Sequence, residues 1–150
     1  MNWLKYAIHD DTQIKGFFGE YIFLSNFYLC KIEFNGMVFP SVENAYMASK
    51  SIKIEHQKRY LYIQPAHAKK LGALLTIRED WYEVKLGFMY EFNLQKYTNH
   101  PELKKLLLDT GSKYLEETNS WNDRFWGVFN GIGKNNLGKI LMRIRSELQV

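Results

Sequence analysis

One short stretch constrains the fold more than any other. Cys30-Lys31-Ile32-Glu33-Phe34 alternates in polarity as a half-buried strand does. Asn35-Gly36 follows, the strongest short hairpin signal there is, and Met37-Val38-Phe39 supplies a return strand. Pro40 then disfavours helical geometry at Phe39. Ser41 can cap the free N–H groups of a helix running to about residue 51. Glu43 falls in that first turn, where a negative charge suits the helix dipole. Its neighbours Phe39, Val42, Ala45, Tyr46 and Met47 are apolar or aromatic, so this carboxylate is expected to leave bulk water. Glu43, Met47 and Lys50 share a helical face. Two readings stand side by side. One is an acid that complements the dipole, the commoner use of a first-turn carboxylate. The other is a site built from a carboxylate and a lysine in an apolar wall.

The chain has 150 residues, the size of one domain, here 1–150. A compact chain of this size buries roughly 70% of its unfolded surface, enough for a real core. Aromatic residues reach 16%, a share that serves a core or a pocket for a flat ligand equally well. Net charge is +4, which suits a phosphate, nucleotide or nucleic acid partner without a basic tail to enforce it. The lone cysteine, Cys30, has no internal partner, which favours a reducing compartment. His9, His56, His67 and His100 are scattered, and no zinc-type spacing occurs. No apolar run reaches membrane-spanning length, and no signal-peptide core stands at the start. The expectation is a soluble cytoplasmic protein with no membrane partner.

Residues 1–15 read as a short strand or extended segment, then a turn. Residues 17–28 are too aromatic for an ordinary loop, and Ser25-Asn26 interrupts them. Residues 52–64 permit a short helix. Pro65 and Gly72 bracket another. Asp80 can cap a longer helix from 81 to about 97. Pro101 opens a further helix that Gly111 ends. A short strand is expected within 113–117, a turn at 119–123, and a last helix from 137 to about 148. Helices outnumber strands, and the strands cluster near the N-terminus. The expected fold is a helix-rich α+β domain with a small antiparallel sheet near the N-terminus. No βαβ series, G-x-G-x-x-G or phosphate-loop lysine motif supports a common dinucleotide fold.

Acids meet aromatics in two places. The first is Glu43 with Lys50, joined by Glu20. The second is Trp121-Asn122-Asp123-Arg124-Phe125-Trp126-Gly127. Asp123 between two tryptophans is either a functional loop acid or a turn aspartate bonding its own backbone, the commoner use. Trp121 and Trp126 serve a core equally well. Lys85 projects from an apolar helix face, where the ordinary reading is a lysine with its head in water. Asn26 can bond backbone or ligand. Two carboxylates, a lysine and flat aromatic walls suit cleavage of a glycosidic bond to a planar base. A carboxylate stabilises the oxocarbenium character of the sugar or activates water. A second acid protonates the leaving group or bonds to it.

Several blocks then occur in order: Gly19-Glu20-Tyr21 with Phe23-Leu24-Ser25-Asn26-Phe27-Tyr28; Phe39-Pro40-Ser41-Val42-Glu43-Asn44-Ala45-Tyr46 with Ala48 and Lys50; Ala68-Lys69-Lys70-Leu71-Gly72; Trp81, Lys85 and Met89; Leu107 with Thr110-Gly111; and Asn119, Trp121, Asp123, Phe125-Trp126-Gly127, Asn136 and Leu137-Gly138-Lys139-Ile140-Leu141-Met142. Together they resemble the NADAR, or YbiA-like, family. The resemblance implies a mainly helical α+β N-glycosidase with no metal or redox cofactor. Its substrates would be ribosylaminopyrimidine phosphates of early riboflavin synthesis, or ADP-ribose attached to guanine in nucleic acid. A non-catalytic ADP-ribose or nucleotide-binding module is the rival from another class.

Carried over by position, the resemblance assigns catalysis to Glu43 and Asp123. Glu43 would stabilise charge or activate water at the anomeric carbon. Asp123 would orient ribose hydroxyls or assist the leaving group. Substrate contacts fall to Glu20, Asn26, Phe27, Lys50, Trp81, Lys85, Trp121, Trp126 and Gly127, with the lysines on phosphate or tuning the carboxylates and the tryptophans on the base. Three positions depart from the family pattern. Asn44 stands where His is frequent, Met47 where Gln is common, and Asn122 where Gly is common.

Overall fold

The computed structural model describes residues 3–149. The chain gathers into two compact units. One is residues 26–99; the other joins the segment up to Ser25 with the segment from His100 onward.

In the 26–99 unit the predicted hairpin is present. Strand β3 (Leu29–Phe34) pairs antiparallel with β4 (Met37–Ser41), with an irregularity between Leu29 and Ile32. Asn35 and Gly36 both take positive φ, 50° and 75°. That is the twist a two-residue hairpin loop needs. β4 runs directly into helix α1 (Val42–Ser49). Ser41 is extended and its Oγ accepts the Asn44 N–H at 3.1 Å, the cap its sequence position promised. Every residue of α1 is buried. It packs on α3 (Pro65–Gly72) and α4 (Trp81–Asn99), with short α2 (Ile54–Gln57) and a 3-10 turn (Lys58–Tyr60) beside it. The core holds Ile32, Phe39, Val42, Ala45, Ala48, Ala68, Met89 and Phe92. Asp80 does not cap α4 with its side chain. Its carboxylate accepts from the Arg78 guanidinium at 2.6 and 3.1 Å, while its backbone carbonyl receives the first helical N–H groups. The adjacent cation competes for the same oxygens and wins.

The reading of residues 1–15 as extended begins at 1–2, outside the described residues. From Trp3 the chain forms a 3-10 helix (Trp3–Tyr6), then β1 (Ile8–His9) and β2 (Gln13–Lys15). The aromatic run continues as a 3-10 helix (Gly19–Leu24) that buries Phe23 and Leu24. Helix α5 (Pro101–Asp109) precedes β5 (Tyr114–Glu116), β6 (Thr118–Asn119), β7 (Val128–Phe129) and helix α6 (Asn136–Leu148). The helix-rich α+β class holds, but the strands do not all lie near the N-terminus and are not all antiparallel. β1 pairs antiparallel with β2, β2 pairs parallel with β5, and β6 pairs parallel with β7. The physical reason is that strands this short depend on distant partners, which local patterning cannot reveal. The core of this unit is Ile14, Phe23, Leu24, Leu103, Leu107, Leu115, Leu137, Leu141 and Ile144.

Candidate active site

Glu43 is 7% exposed, in the first turn of α1. Its backbone N–H donates to the Asn26 carbonyl at 3.0 Å, which meets a first-turn donor that no helical carbonyl can reach. Two turns on, Lys50 ends the helix, half-buried, with Nζ 5.9 Å from the Tyr46 ring centre and 6.0 Å from that of Trp81. The Tyr46 and Trp81 rings lie 5.1 Å apart. Lys85 is half-buried one turn after Trp81 on α4, its Nζ 5.0 Å from the Tyr82 ring centre. Burial pushes the Lys50 ammonium below the usual lysine range; Glu43 opposes that shift and Lys85 adds to it. The Lys50 ammonium therefore feels both the Glu43 carboxylate and the Lys85 ammonium beside an aromatic wall. Such a cluster attracts an anion and can stabilise a developing cation at the carboxylate.

Asn26 is buried, and its amide is committed to protein: Nδ2 donates to Met89 Sδ and Oδ1 accepts from Asn93 Nδ2, each at 3.3 Å. Phe27 is 37% exposed, with the Lys69 ammonium 5.9 Å from its ring centre. Asn44 and Met47 both serve packing. Asn44 is fully buried and donates to the carbonyls of Tyr60 and Ile63 at 2.8 Å each, tying that loop to α1. Met47 lies against Gly72, where an added Cβ would sit 2.1 Å from Sδ.

The other unit carries the tryptophan-rich loop. Asp123 Oδ1 accepts the N–H groups of Phe125 and Trp126 at 3.1 and 2.9 Å, as a turn aspartate does. Asn119, fully buried, frames the loop from within. Its Oδ1 accepts from Trp121 and Asp123 N–H, and its Nδ2 donates to the Asp123 carbonyl at 2.8 Å. Asn122 has φ 64°, a left-handed conformation that asparagine and glycine tolerate best. Trp121 is 51% exposed, and Trp126 is half-buried with its ring 4.8 Å from Phe125 in an edge-on contact. Glu20 is exposed on the 3-10 helix.

Sequence reasoning missed two features here. The His9 ring lies 4.6 and 4.8 Å from Phe18 and Tyr21, and its Nε2 bonds the Gly16 carbonyl at 2.8 Å. Glu116 is a buried carboxylate held by Thr118 Oγ1 at 2.6 Å and Tyr114 Oη at 3.2 Å. Neither is announced by spacing, although Tyr114, Glu116 and Thr118 do sit on one side of an extended segment. Among the described residues no three His, Cys, Asp or Glu side chains gather as metal ligands. No described helix is long and apolar enough to cross a membrane.

The NADAR domain model matches residues 12–149. The chain belongs to the NADAR family. It is 37% identical over 131 residues to a riboflavin biosynthesis protein of Vibrio vulnificus, covering 85% of this chain but 35% of that protein. It thus spans about a third of that relative's length. An N-glycosidase of Nostoc punctiforme is 36% identical over 132 residues, with 83% of this chain and 84% of that one covered. The NMR structure of Escherichia coli YbiA superposes with a TM-score of 0.81 at 30% identity, covering 95% of this chain and 88% of that one. The helix-rich α+β architecture is therefore that of a NADAR protein.

Proposed function

We propose that this NADAR protein is an N-glycosidase that cleaves the bond between a phosphorylated ribose and a planar base, with ribosylaminopyrimidine phosphates as the substrate class. One observation carries the reading: Glu43 is a buried carboxylate at a helix start, within electrostatic reach of Lys50 and on the same helix as Tyr46. In the reaction the C1′–N bond breaks, and its electron pair leaves with the base nitrogen, which takes up a proton. Water supplies hydroxide to C1′. Glu43 stabilises the cationic sugar or accepts the proton of that water. Lys50 and Lys85 hold phosphate, and Trp81 gives the base a flat surface. Asp123 uses Oδ1 to hold its own loop. The names of the Nostoc and Vibrio relatives agree with this chemistry.

The test is release of free base from a ribosylaminopyrimidine phosphate, followed by mass spectrometry. Glu43→Gln keeps size and removes charge, and turnover should fall by ~10²–10⁴-fold. Near-normal turnover by the folded variant sinks the assignment. The net charge of +4 supports a second reading, removal of ADP-ribose from guanine in DNA or RNA. ADP-ribosylated guanosine and DNA belong in the same assay as the competing arm.

A further inference from the structure

We propose that Asn93 is a positioning residue for Glu43, acting through Asn26; this rests on the reading of Glu43 as the catalytic carboxylate. The path has three links. Asn93 Nδ2 donates to Asn26 Oδ1 at 3.3 Å and to the Met89 carbonyl at 3.1 Å. Asn26 Nδ2 donates to Met89 Sδ at 3.3 Å, so both ends of the Asn26 amide are fastened to α4. The Asn26 carbonyl then accepts the Glu43 N–H at 3.0 Å.

The same helix α4 carries Trp81 and Lys85. The hydrogen-bond path therefore sets the start of α1, and the carboxylate on it, against the helix that supplies the aromatic wall and one lysine. All the residues of the path are nine-tenths or more buried: Asn26 8%, Glu43 7%, Met89 1% and Asn93 0% exposed. In that setting solvent does not compete for the bonds, and the geometry they impose is stiff.

Asn93 is also an unfavourable choice for stability alone. Its Oδ1 is buried and has no hydrogen-bond partner among the described residues. A half-satisfied amide in a core costs more than an apolar side chain of the same size. An apolar residue would suffice to fill the space between α4 and Asn26. What leucine cannot do is donate to Asn26. A carboxylate must be held within a fraction of an ångström of its productive position, and small displacements reach rates by 10²-fold or so.

The experiment is a double-mutant cycle with a ribosylaminopyrimidine phosphate as substrate and free base as the readout. Asn93→Leu removes the donor and keeps the branched shape and heavy-atom count. It should lower kcat by about 10-fold to 10²-fold and leave KM within about twofold, since binding groups are untouched. In the Glu43→Gln background, measured with excess enzyme and long incubation, Asn93→Leu should cause no further loss, because its effect passes through Glu43. A structural role would lower both backgrounds alike. Met89→Leu, a volume-conserving swap that removes the sulfur acceptor, should give a smaller fall with the same dependence on Glu43. It carries the test if circular dichroism finds Asn93→Leu unfolded. A folded variant with wild-type kcat overturns the proposal, as does an equal fall in both backgrounds. Near-normal turnover of Glu43→Gln overturns the catalytic reading instead, and the two failures are told apart in one set of assays.

Discussion

On the proposed function, Lys50 sits where stability and substrate binding pull in opposite directions. Its ammonium is partly desolvated against Tyr46 and Trp81, and Lys85 repels it. The folded protein therefore holds this proton less tightly than the unfolded chain, whose lysine titrates near 10.5. A depressed folded value means stability is gained above it and is missing below it. Below its folded value the charged Lys50 costs stability relative to the neutral amine. Lys50→Met should keep or raise Tm at pH 7 in a thermal melt, and the advantage should vanish above 10.5. The same variant should raise KM for a phosphorylated substrate by about tenfold, the loss of one charged hydrogen bond. In the wild type KM should climb with pH below 10.5, as Lys50 loses its charge early. Lys50→Arg should move that rise beyond the accessible range, because guanidinium keeps its proton. A KM indifferent to pH and to both substitutions removes Lys50 from substrate binding.

Among the elements, two glycines make opposite predictions. Gly127 leads into β7, and an added Cβ would lie 2.1 Å from the Glu117 carbonyl and 2.7 Å from Asn119 Nδ2. That carbonyl receives the Val128 N–H at 2.9 Å, so the parallel pairing of β6 with β7 starts at the crowded point. Gly127→Ala should cost about 1–3 kcal/mol in denaturant unfolding. It should also loosen the loop that Asn119 builds around Asp123. Gly87 lies in the exposed interior of α4 with nothing within 4 Å of an added Cβ. Gly87→Ala should stabilise the protein by about 0.8–1.0 kcal/mol, the helix-propensity difference. The elements that local chemistry specifies were legible in advance. The Asn35-Gly36 turn, the Ser41 cap and the proline-led helices at Pro65 and Pro101 each carry their own signal. What stayed hidden depends on partners remote in sequence. Nothing near Asn93 announces Asn26, nothing near Met47 announces Gly72, and a three-residue β2 has no pattern of its own. In the site, Glu43, Lys50, Trp81 and Lys85 were readable as types at spacings, and the apolar neighbours of Glu43 announced its burial; the setting of Lys50 against Tyr46 and Trp81 was not readable. Asn26 was open between ligand and backbone, and the structure finds it bonded within the protein.

At the scale of the molecule, charge separates the candidate substrates. A net +4 spread over 20 basic and 16 acidic residues is a weak general attraction for polyanions. A small phosphorylated substrate meets two lysines, so its kcat/KM should change only a few-fold between about 50 and 200 mM salt. Turnover of ADP-ribosylated DNA, if it occurs, should fall much more steeply over the same range, as phosphate contacts release counterions. DNA turnover that matches or exceeds that of the pyrimidine substrate at the higher salt would transfer the assignment to the second reading.

The parallel pairing of β2 with β5 joins Gln13–Lys15 to Tyr114–Glu116, and residues 26–99 lie between them in sequence. On a ribosome, which feeds out chain from the N-terminus, β2 emerges first and waits. The 26–99 unit has all its own contacts available as soon as it clears the tunnel. Glu43, Lys50, Trp81 and Lys85 all belong to that unit, so the carboxylate and its lysines can be in place before the strand that completes the other unit has been translated. The order of synthesis thus completes the 26–99 segment before the partner of the earliest strand exists.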